Sequence, residues 1–242
     1  MRLLFIRHAE PDYDNDTITE KGKREAALLA RYMKDVNVTA FYCSPLGRAK
    51  DTAAATLELV GRDAQICDWL REFPGYTCDK DGVRHIPWDR MPGIWTKEPR
   101  YYDRDRWYTT PLMKSGDNTV ETCYKTVCGE LDGLLSSYGY RREGNYYRVE
   151  RENHDTLAFF CHFAVTCVMA SHLLGIATPL LWHGFATAPT SITTFYTEER
   201  QQGIGYFRCT GFGDVSHLYA QGEPASFSAR FCEAYSDADS RH

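Results

Sequence analysis

The sequence predicts an α/β protein: a three-layer α/β/α sandwich with a mainly parallel central sheet, formed by residues 1–242 as one domain. Three observations predict it. Short apolar runs recur at residues 3–6, 40–43 and 157–161, the pattern of strands buried on both faces. Helical periodicity or a helix-start signal follows each run. Finally, 242 residues with 43% hydrophobic and 25% charged residues are enough to enclose one sizeable core.

Taken in order, residues 3–6 form the first strand. Thr19 then opens a helix in which Ala26, Leu29, Ala30 and Met33 recur on one face. Residues 40–43 form a second strand. Ser44-Pro45 reads as the N-cap and first helical residue of an alanine-rich helix that runs to Leu59 and stops at Gly61. Residues 76–114 sustain no period, yet hold four prolines, five arginines and Trp88, Trp95, Tyr101, Tyr102, Trp107 and Tyr108. Such a segment is too long for a plain connection and too aromatic for a disordered linker, so it predicts a packed insertion. A helix resumes from Asn118 to Ser137, and residues 140–150 predict a hairpin turning at Glu143-Gly144-Asn145. After the strand at 157–161, His162 begins an apolar helix that ends at Gly175. Residues 191–196 and 205–209 supply further strands.

Composition narrows the function. The formal net charge of -5 provides no basic field for nucleic acid or an anionic membrane. The arginines and aromatics of 76–114 are interrupted by Asp89, Glu98, Asp103 and Asp105, against a single-strand binding role. No apolar run reaches membrane-spanning length, and the start reads as a strand and not as a secretory leader. Nine scattered cysteines, an odd number, predict free thiols in a reducing cytoplasm. Neither a Cys-x-x-Cys pair nor a His-x-x-x-His spacing is present, so no metal and no cofactor are expected. Cys43 and Arg48 flank four residues, one short of a cysteine phosphatase loop, and Pro45 removes a donor that loop needs. The sequence is silent on oligomeric state.

The chemistry collects at strand ends. Arg7-His8 follows the first strand, Ser44 and Arg48 the second, and His162 the third, where open α/β sheets bind their ligands. Arg48 and His162 also lie at helix starts, which favour anions. Three such endings together predict one convergent anion site.

These residues carry a resemblance. Arg7-His8-Ala9-Glu10 resembles the Arg-His-Gly-Glu signature of the histidine phosphatase (phosphoglycerate mutase-like) superfamily. Ile18-Thr19-Glu20-Lys21-Gly22 with Glu25-Ala26 is similar to its Leu-Thr-x-x-Gly-x-x-Gln-Ala helix opening. Ser44-Pro45-Leu46-Gly47-Arg48-Ala49 with Thr52-Ala53 resembles its Ser-x-Leu-x-Arg-Ala-x-x-Thr-Ala segment. Leu70-Arg71-Glu72-Phe73 resembles the stretch carrying its acid, and Phe160-Cys161-His162 the strand delivering its second histidine. The chain departs from the pattern at Ala9, at Phe73-Pro74-Gly75 and across residues 11–15.

The resemblance implies a phosphatase acting on a small phosphorylated metabolite. His8 would attack phosphorus and become phosphohistidine, while Arg7, Arg48 and His162 hold the equatorial oxygens. Glu72 would protonate the leaving alcohol, with Asp68 or a residue of the insertion as alternatives for that role. Two alternatives accompany hydrolysis: phosphoglycerate mutase-type transfer, or a phospho-ligand-binding domain of low turnover. Residues 76–114 follow Glu72 directly and are expected to cover the pocket. Trp88, Trp95 and Trp107 would offer flat surface, and Arg84, Arg90, Arg100, Arg104 and Arg106 charge.

Overall fold

A computed structural model describes residues 1–228 and 232–241; residues 229–231 and 242, part of the domain expected over 1–242, lie outside the described residues. The elements that build the central sheet and its flanks are β1 (Arg2–Arg7), α1 (Glu20–Met33), β2 (Ala40–Cys43), α2 (Gly47–Val60) and β3 (Ala64–Ile66). After the insertion come α3 (Thr119–Ser137), β4 (Tyr140–Glu143), β5 (Tyr146–Val149), β6 (Thr156–Cys161) and α4 (Phe163–Leu174). Then follow α5 (Thr178–Gly184), β7 (Ile192–Gln201) and β8 (Ile204–Asp214).

The strands form one eight-stranded sheet in the order β3-β2-β6-β1-β7-β8-β5-β4. β3, β2, β6 and β1 run parallel, which brings the carboxyl ends of β2, β6 and β1 to one edge of the molecule. Beyond β1 the sheet continues antiparallel through β7, β8, β5 and β4, because two of these connections are tight hairpins.

Alternation along the strands sends side chains to two cores. Leu4, Ile6, Ala158 and Phe160 meet Leu29 and Met33 of α1 and Ala49 and Ala53 of α2. Leu3, Phe5, Leu157 and Phe159 meet Val127 and Leu131 of α3 and Val165 and Val168 of α4. Helices thus cover both faces, and the α/β/α layering matches the expectation. Residues 3–6 of β1 and 157–161 of β6 are unbroken apolar runs because neither face sees water.

Helix ends follow local chemistry. Thr19 caps α1, accepting from the Gly22 N–H at 3.0 Å. Gly61 and Gly175 end α2 and α4 in the left-handed conformation, with φ of 64° and 67°. One boundary differs from the sequence reading: α2 begins at Gly47 with Leu46 at its N-cap, not at Pro45 after Ser44. Ser44 is engaged elsewhere, its Oγ lying 2.7 Å from His162 Nε2, so the chain turns once more before the helix starts.

The insertion is packed, as expected, in short elements that include Pro92–Trp95, Pro99–Tyr102, Trp107–Thr109 and Pro111–Lys114. In its later half Tyr101, Trp107 and Met113 are core. Trp107 is 0% exposed, with Tyr124 and Trp182 rings at 5.1 and 5.2 Å, and so offers no surface to a substrate. The arginine expectation also narrows. Arg100 pairs with Glu98 at 2.7 Å, Arg104 pairs with Asp105 at 2.9 Å, and Arg84 lies over the Tyr76 ring. Trp88 packs against Phe163, the residue after His162, and Trp95 stacks on His183.

Candidate active site

The parallel strand ends place Arg7, His8 and His162 side by side. His8 is held before anything binds: its N–H donates to the Cys161 carbonyl at 3.0 Å, and its carbonyl accepts from the Thr190 N–H at 3.1 Å. Thr190 adopts a left-handed φ of 58°, a strained backbone for a β-branched residue and a mark of a site fixed by its surroundings. The His8 and His162 rings lie 5.1 Å apart, centre to centre.

Hydrogen bonds assign the imidazole protons. His8 Nδ1 donates to the Ala9 carbonyl at 2.7 Å, which leaves the lone pair on Nε2. Ser44 Oγ, itself accepting from the Leu46 N–H, lies 2.7 Å from His162 Nε2, and when that hydroxyl donates the His162 proton stands on Nδ1. That Nδ1 is buried and has no partner among the described residues. Burial, reinforced by Arg7 and Arg48, holds His8 well below the usual histidine range. Burial, then His8 and the two arginines, does the same to His162. Both rings are therefore neutral near pH 7.

The arginines are positioned by partners that the sequence did not reveal. Arg7 Nη1 donates to the Thr187 carbonyl. Arg48 Nη1 donates to Asp16 Oδ1 at 2.6 Å, while the other Asp16 oxygen accepts from the Gly47 N–H at 2.7 Å. The Tyr13 ring lies 5.5 Å from the Arg48 guanidinium carbon. Arg48 Nε is buried without a partner among the described residues. Tyr13 belongs to, and Asp16 directly follows, the stretch at 11–15 that departs from the family pattern. That departure was the one available signal, but spacing alone does not say which carboxylate reaches which helix.

Glu72 reaches the same place from the opposite side. Its Oε1 accepts from the N–H groups of Phe73, Ala164 and Val165 at 3.0, 3.0 and 3.3 Å. It therefore sits at the N-terminus of α4, one turn from His162. Burial raises its affinity for a proton, while the Phe73 amide, Arg7, the Val165 amide and Arg48 oppose this. The alternative acid, Asp68, is exposed and paired with Arg71 at 3.2 Å. All five residues singled out by sequence thus lie in one cluster.

Among the described residues, no group of three or more His, Cys, Asp or Glu side chains could hold a metal ion. No described helix is long and apolar enough to cross a membrane. All nine cysteines, each among the described residues, are free thiols.

Known proteins share these features. Residues 3–101 match the sequence profile of the Histidine phosphatase superfamily (branch 1). A 2,3-bisphosphoglycerate-dependent phosphoglycerate mutase of Thermoplasma acidophilum is 36% identical over 70 residues, 25% of this chain and 35% of that protein's length. Phosphoserine phosphatase 1 of Hydrogenobacter thermophilus is 23% identical over 220 residues, 84% of this chain and 90% of that protein. In fold, the chain is similar to a mutant phosphoserine phosphatase of Entamoeba histolytica in complex with phosphoserine. The TM-score is 0.59 at 20% identity, covering 90% of this chain and 98% of that one. A mycobacterial glucosyl-3-phosphoglycerate phosphatase gives 0.58 at 17% identity, covering 88% and 99%. Residues 3–101 thus match the histidine phosphatase superfamily in sequence, and the chain shares over nine-tenths of its length the fold of a phosphoserine phosphatase.

Proposed function

We propose that this protein is a phosphomonoesterase that hydrolyses a small phosphorylated metabolite through a phosphohistidine on His8, the whole chain acting as one catalytic unit. One observation carries the proposal: a buried neutral imidazole whose proton is held on Nδ1, beside two buried nitrogens without partners among the described residues, Arg48 Nε and His162 Nδ1, the latter a donor when the Ser44 hydroxyl donates to Nε2. A bound phosphate oxygen would satisfy each donor, and unpaired buried donors cost about 1–3 kcal/mol each until one does.

In this scheme the His8 Nε2 lone pair attacks phosphorus as the ester P–O bond breaks. Arg7, Arg48 and His162 donate to the equatorial oxygens, where transition-state charge gathers. Glu72 gives its proton to the departing alkoxide. As a carboxylate it then takes a proton from the water that attacks the phosphohistidine, releasing inorganic phosphate and restoring His8. The guanidiniums supply the positive charge, so no divalent ion is required.

Mutase-type transfer to a second alcohol is the other reading, favoured by the 70-residue match to a mutase. The longer match, to a phosphatase over 220 residues, supports hydrolysis. The test is rapid-quench peptide mass spectrometry with p-nitrophenyl phosphate and a chelator present. An acid-labile, alkali-stable phosphoryl group on the His8 peptide, with phosphate release that His8→Ala abolishes, is expected. Full activity in His8→Ala overturns the proposal. Activity lost to chelator and restored by Mg²⁺ or Zn²⁺ overturns its metal-free chemistry. Transfer of the phosphoryl group to added 3-phosphoglycerate in preference to water favours the mutase.

A further inference from the structure

Glu25 has no place in the mechanism above, yet it is a fully buried carboxyl close to the nucleophile. It lies on α1, 0% exposed, and its Oε2 accepts from the Glu10 N–H at 2.9 Å. The Glu10 N–H and the Ala9 C=O are the two ends of one planar peptide group. The Ala9 carbonyl, in turn, accepts from His8 Nδ1 at 2.7 Å. Carboxyl, peptide and imidazole therefore form one continuous chain of hydrogen bonds: Glu25, the Ala9–Glu10 amide, His8.

We infer that Glu25 is a positioning residue for His8, acting through the peptide group between Ala9 and Glu10. An acceptor drawing on the amide N–H shifts electron density toward the carbonyl oxygen at the other end. The carbonyl then binds the His8 Nδ1 proton more strongly, because linked hydrogen bonds polarise one another. Two consequences follow at the ring. Nδ1 keeps its proton, which holds the reactive lone pair on Nε2, and the ring plane is fixed.

The surrounding contacts keep this amide from turning. The Ala9 N–H donates to Thr52 Oγ1 at 2.8 Å, and that hydroxyl donates to the Arg48 carbonyl. The Glu10 carboxylate is held apart from the chain, accepting from Thr19 Oγ1 at 2.8 Å and from Ser226 Oγ. The Ala9–Glu10 amide thus has the Glu25 carboxyl on one side and the His8 ring on the other. The distance from α1 to this amide is set by a close approach: a side chain at Gly22 would collide with the Glu10 carbonyl.

The inference rests on His8 being the phosphoryl acceptor, and its test separates the two. Uniform ¹⁵N-histidine labelling, with His8 assigned by its loss in His8→Ala, reports the ring tautomer without turnover. Wild type should show His8 with a protonated Nδ1 and an unprotonated Nε2. Glu25→Met removes the acceptor, and Glu25→Asp keeps an acid too short to reach the Glu10 N–H. Each should disturb that signature and slow phosphohistidine formation about tenfold, the scale of one lost hydrogen bond, while KM stays within about threefold. Glu25→Gln keeps an acceptor oxygen at the same reach and should restore both readouts.

Folded Glu25→Met or Glu25→Asp protein with a wild-type ring signature overturns the inference. So does a rate loss without a change at His8, or a failure of Glu25→Gln to restore the signature. If Glu25→Met does not fold, Glu25→Asp decides. Absence of phosphohistidine in wild type overturns the proposed function instead, and leaves the tautomer readout standing.

Discussion

Replacing Glu25 with glutamine should remove a component of the protein's pH-dependent stability. Burial, with the neighbouring Glu10 carboxylate adding to it, pushes the Glu25 carboxyl up to about 7 from an ordinary 4.5, against the pull of the Glu10 amide and Lys21. The unfolded chain therefore gives up this proton first. Between pH 4.5 and about 7 the folded state binds more protons, so stability falls as pH rises through that window and levels off above it. At 1.36 kcal/mol per pH unit, the gap between 4.5 and about 7 sets a ceiling of about 3 kcal/mol. About 2–3 kcal/mol of this falls between pH 5 and pH 8. Glutamine carries no charge at any pH and keeps an acceptor for the Glu10 N–H. Urea unfolding of both proteins at pH 5 and pH 8 provides the assay. Contributions from His8, His162 and Glu72 are common to both proteins and cancel in the difference. The variant should gain on wild type by about 2–3 kcal/mol at pH 8 relative to pH 5. A difference that is the same at both pH values would refute the reasoning, since Glu25 would then ionise as freely in the fold as in the unfolded chain.

Two further outcomes are expected. Glu72→Gln should slow turnover of alkyl or sugar phosphates about a hundredfold more than turnover of p-nitrophenyl phosphate, whose leaving group scarcely needs a proton; equal losses on both would make Glu72 a cap for α4 alone. In the insertion, Trp107→Ala should destabilise the fold by about 3–5 kcal/mol, as for other large buried aromatics, whereas half-buried Trp88→Ala should raise KM for the natural substrate and leave p-nitrophenyl phosphate unaffected. Denaturant midpoints and steady-state kinetics separate these two behaviours.

What could be read in the sequence follows from how far each signal reaches along the chain. The strands at β1, β2 and β6 announce themselves because burial on both faces admits no polar residue for several positions. Arg7, His8 and His162 were legible for the same reason, as polar residues that abruptly end such runs, and Arg48 by its place in the first turn of the helix after β2. Glu72 was found through a resemblance, since nothing in its own surroundings marks an acid whose partners are amides of α4, 92 and 93 residues away. Thr187 and Thr190 were not legible at all, and Asp16 was marked only by the departure at residues 11–15 just before it. Each acts through a contact that exists only once distant segments meet, and a carboxylate or threonine in a loop has too many uses for its type to reveal one. Ser44 misled for a related reason: a serine before proline is a sound helix start locally, but its hydroxyl serves His162 instead. The insertion divided along the same line, because a tryptophan that fills a core and one that borders a cleft look alike in sequence until Trp182 is found beside the first.

The net charge of -5 and an anion site are compatible because of how the site's charge is arranged. Burial beside two guanidiniums makes a third positive charge expensive, so both imidazoles remain neutral. In the proposed mechanism that is the state in which His8 offers a lone pair and His162 a proton. Glu72 is subject to the opposite balance. The amides of Phe73 and α4 stabilise its carboxylate, but burial outweighs them and holds its proton more tightly than an ordinary carboxyl would. In the proposed mechanism that raised proton affinity is what lets Glu72 donate a proton in one step and accept one in the next. An arriving phosphate adds negative charge between these groups. It would partly offset Arg7 and Arg48, and in the proposed mechanism this favours the protonated form of Glu72 when a leaving group needs the proton. In that scheme the field that binds the phosphate also readies the acid, while Thr187, Asp16 and Ser44 hold Arg7, Arg48 and His162 in place.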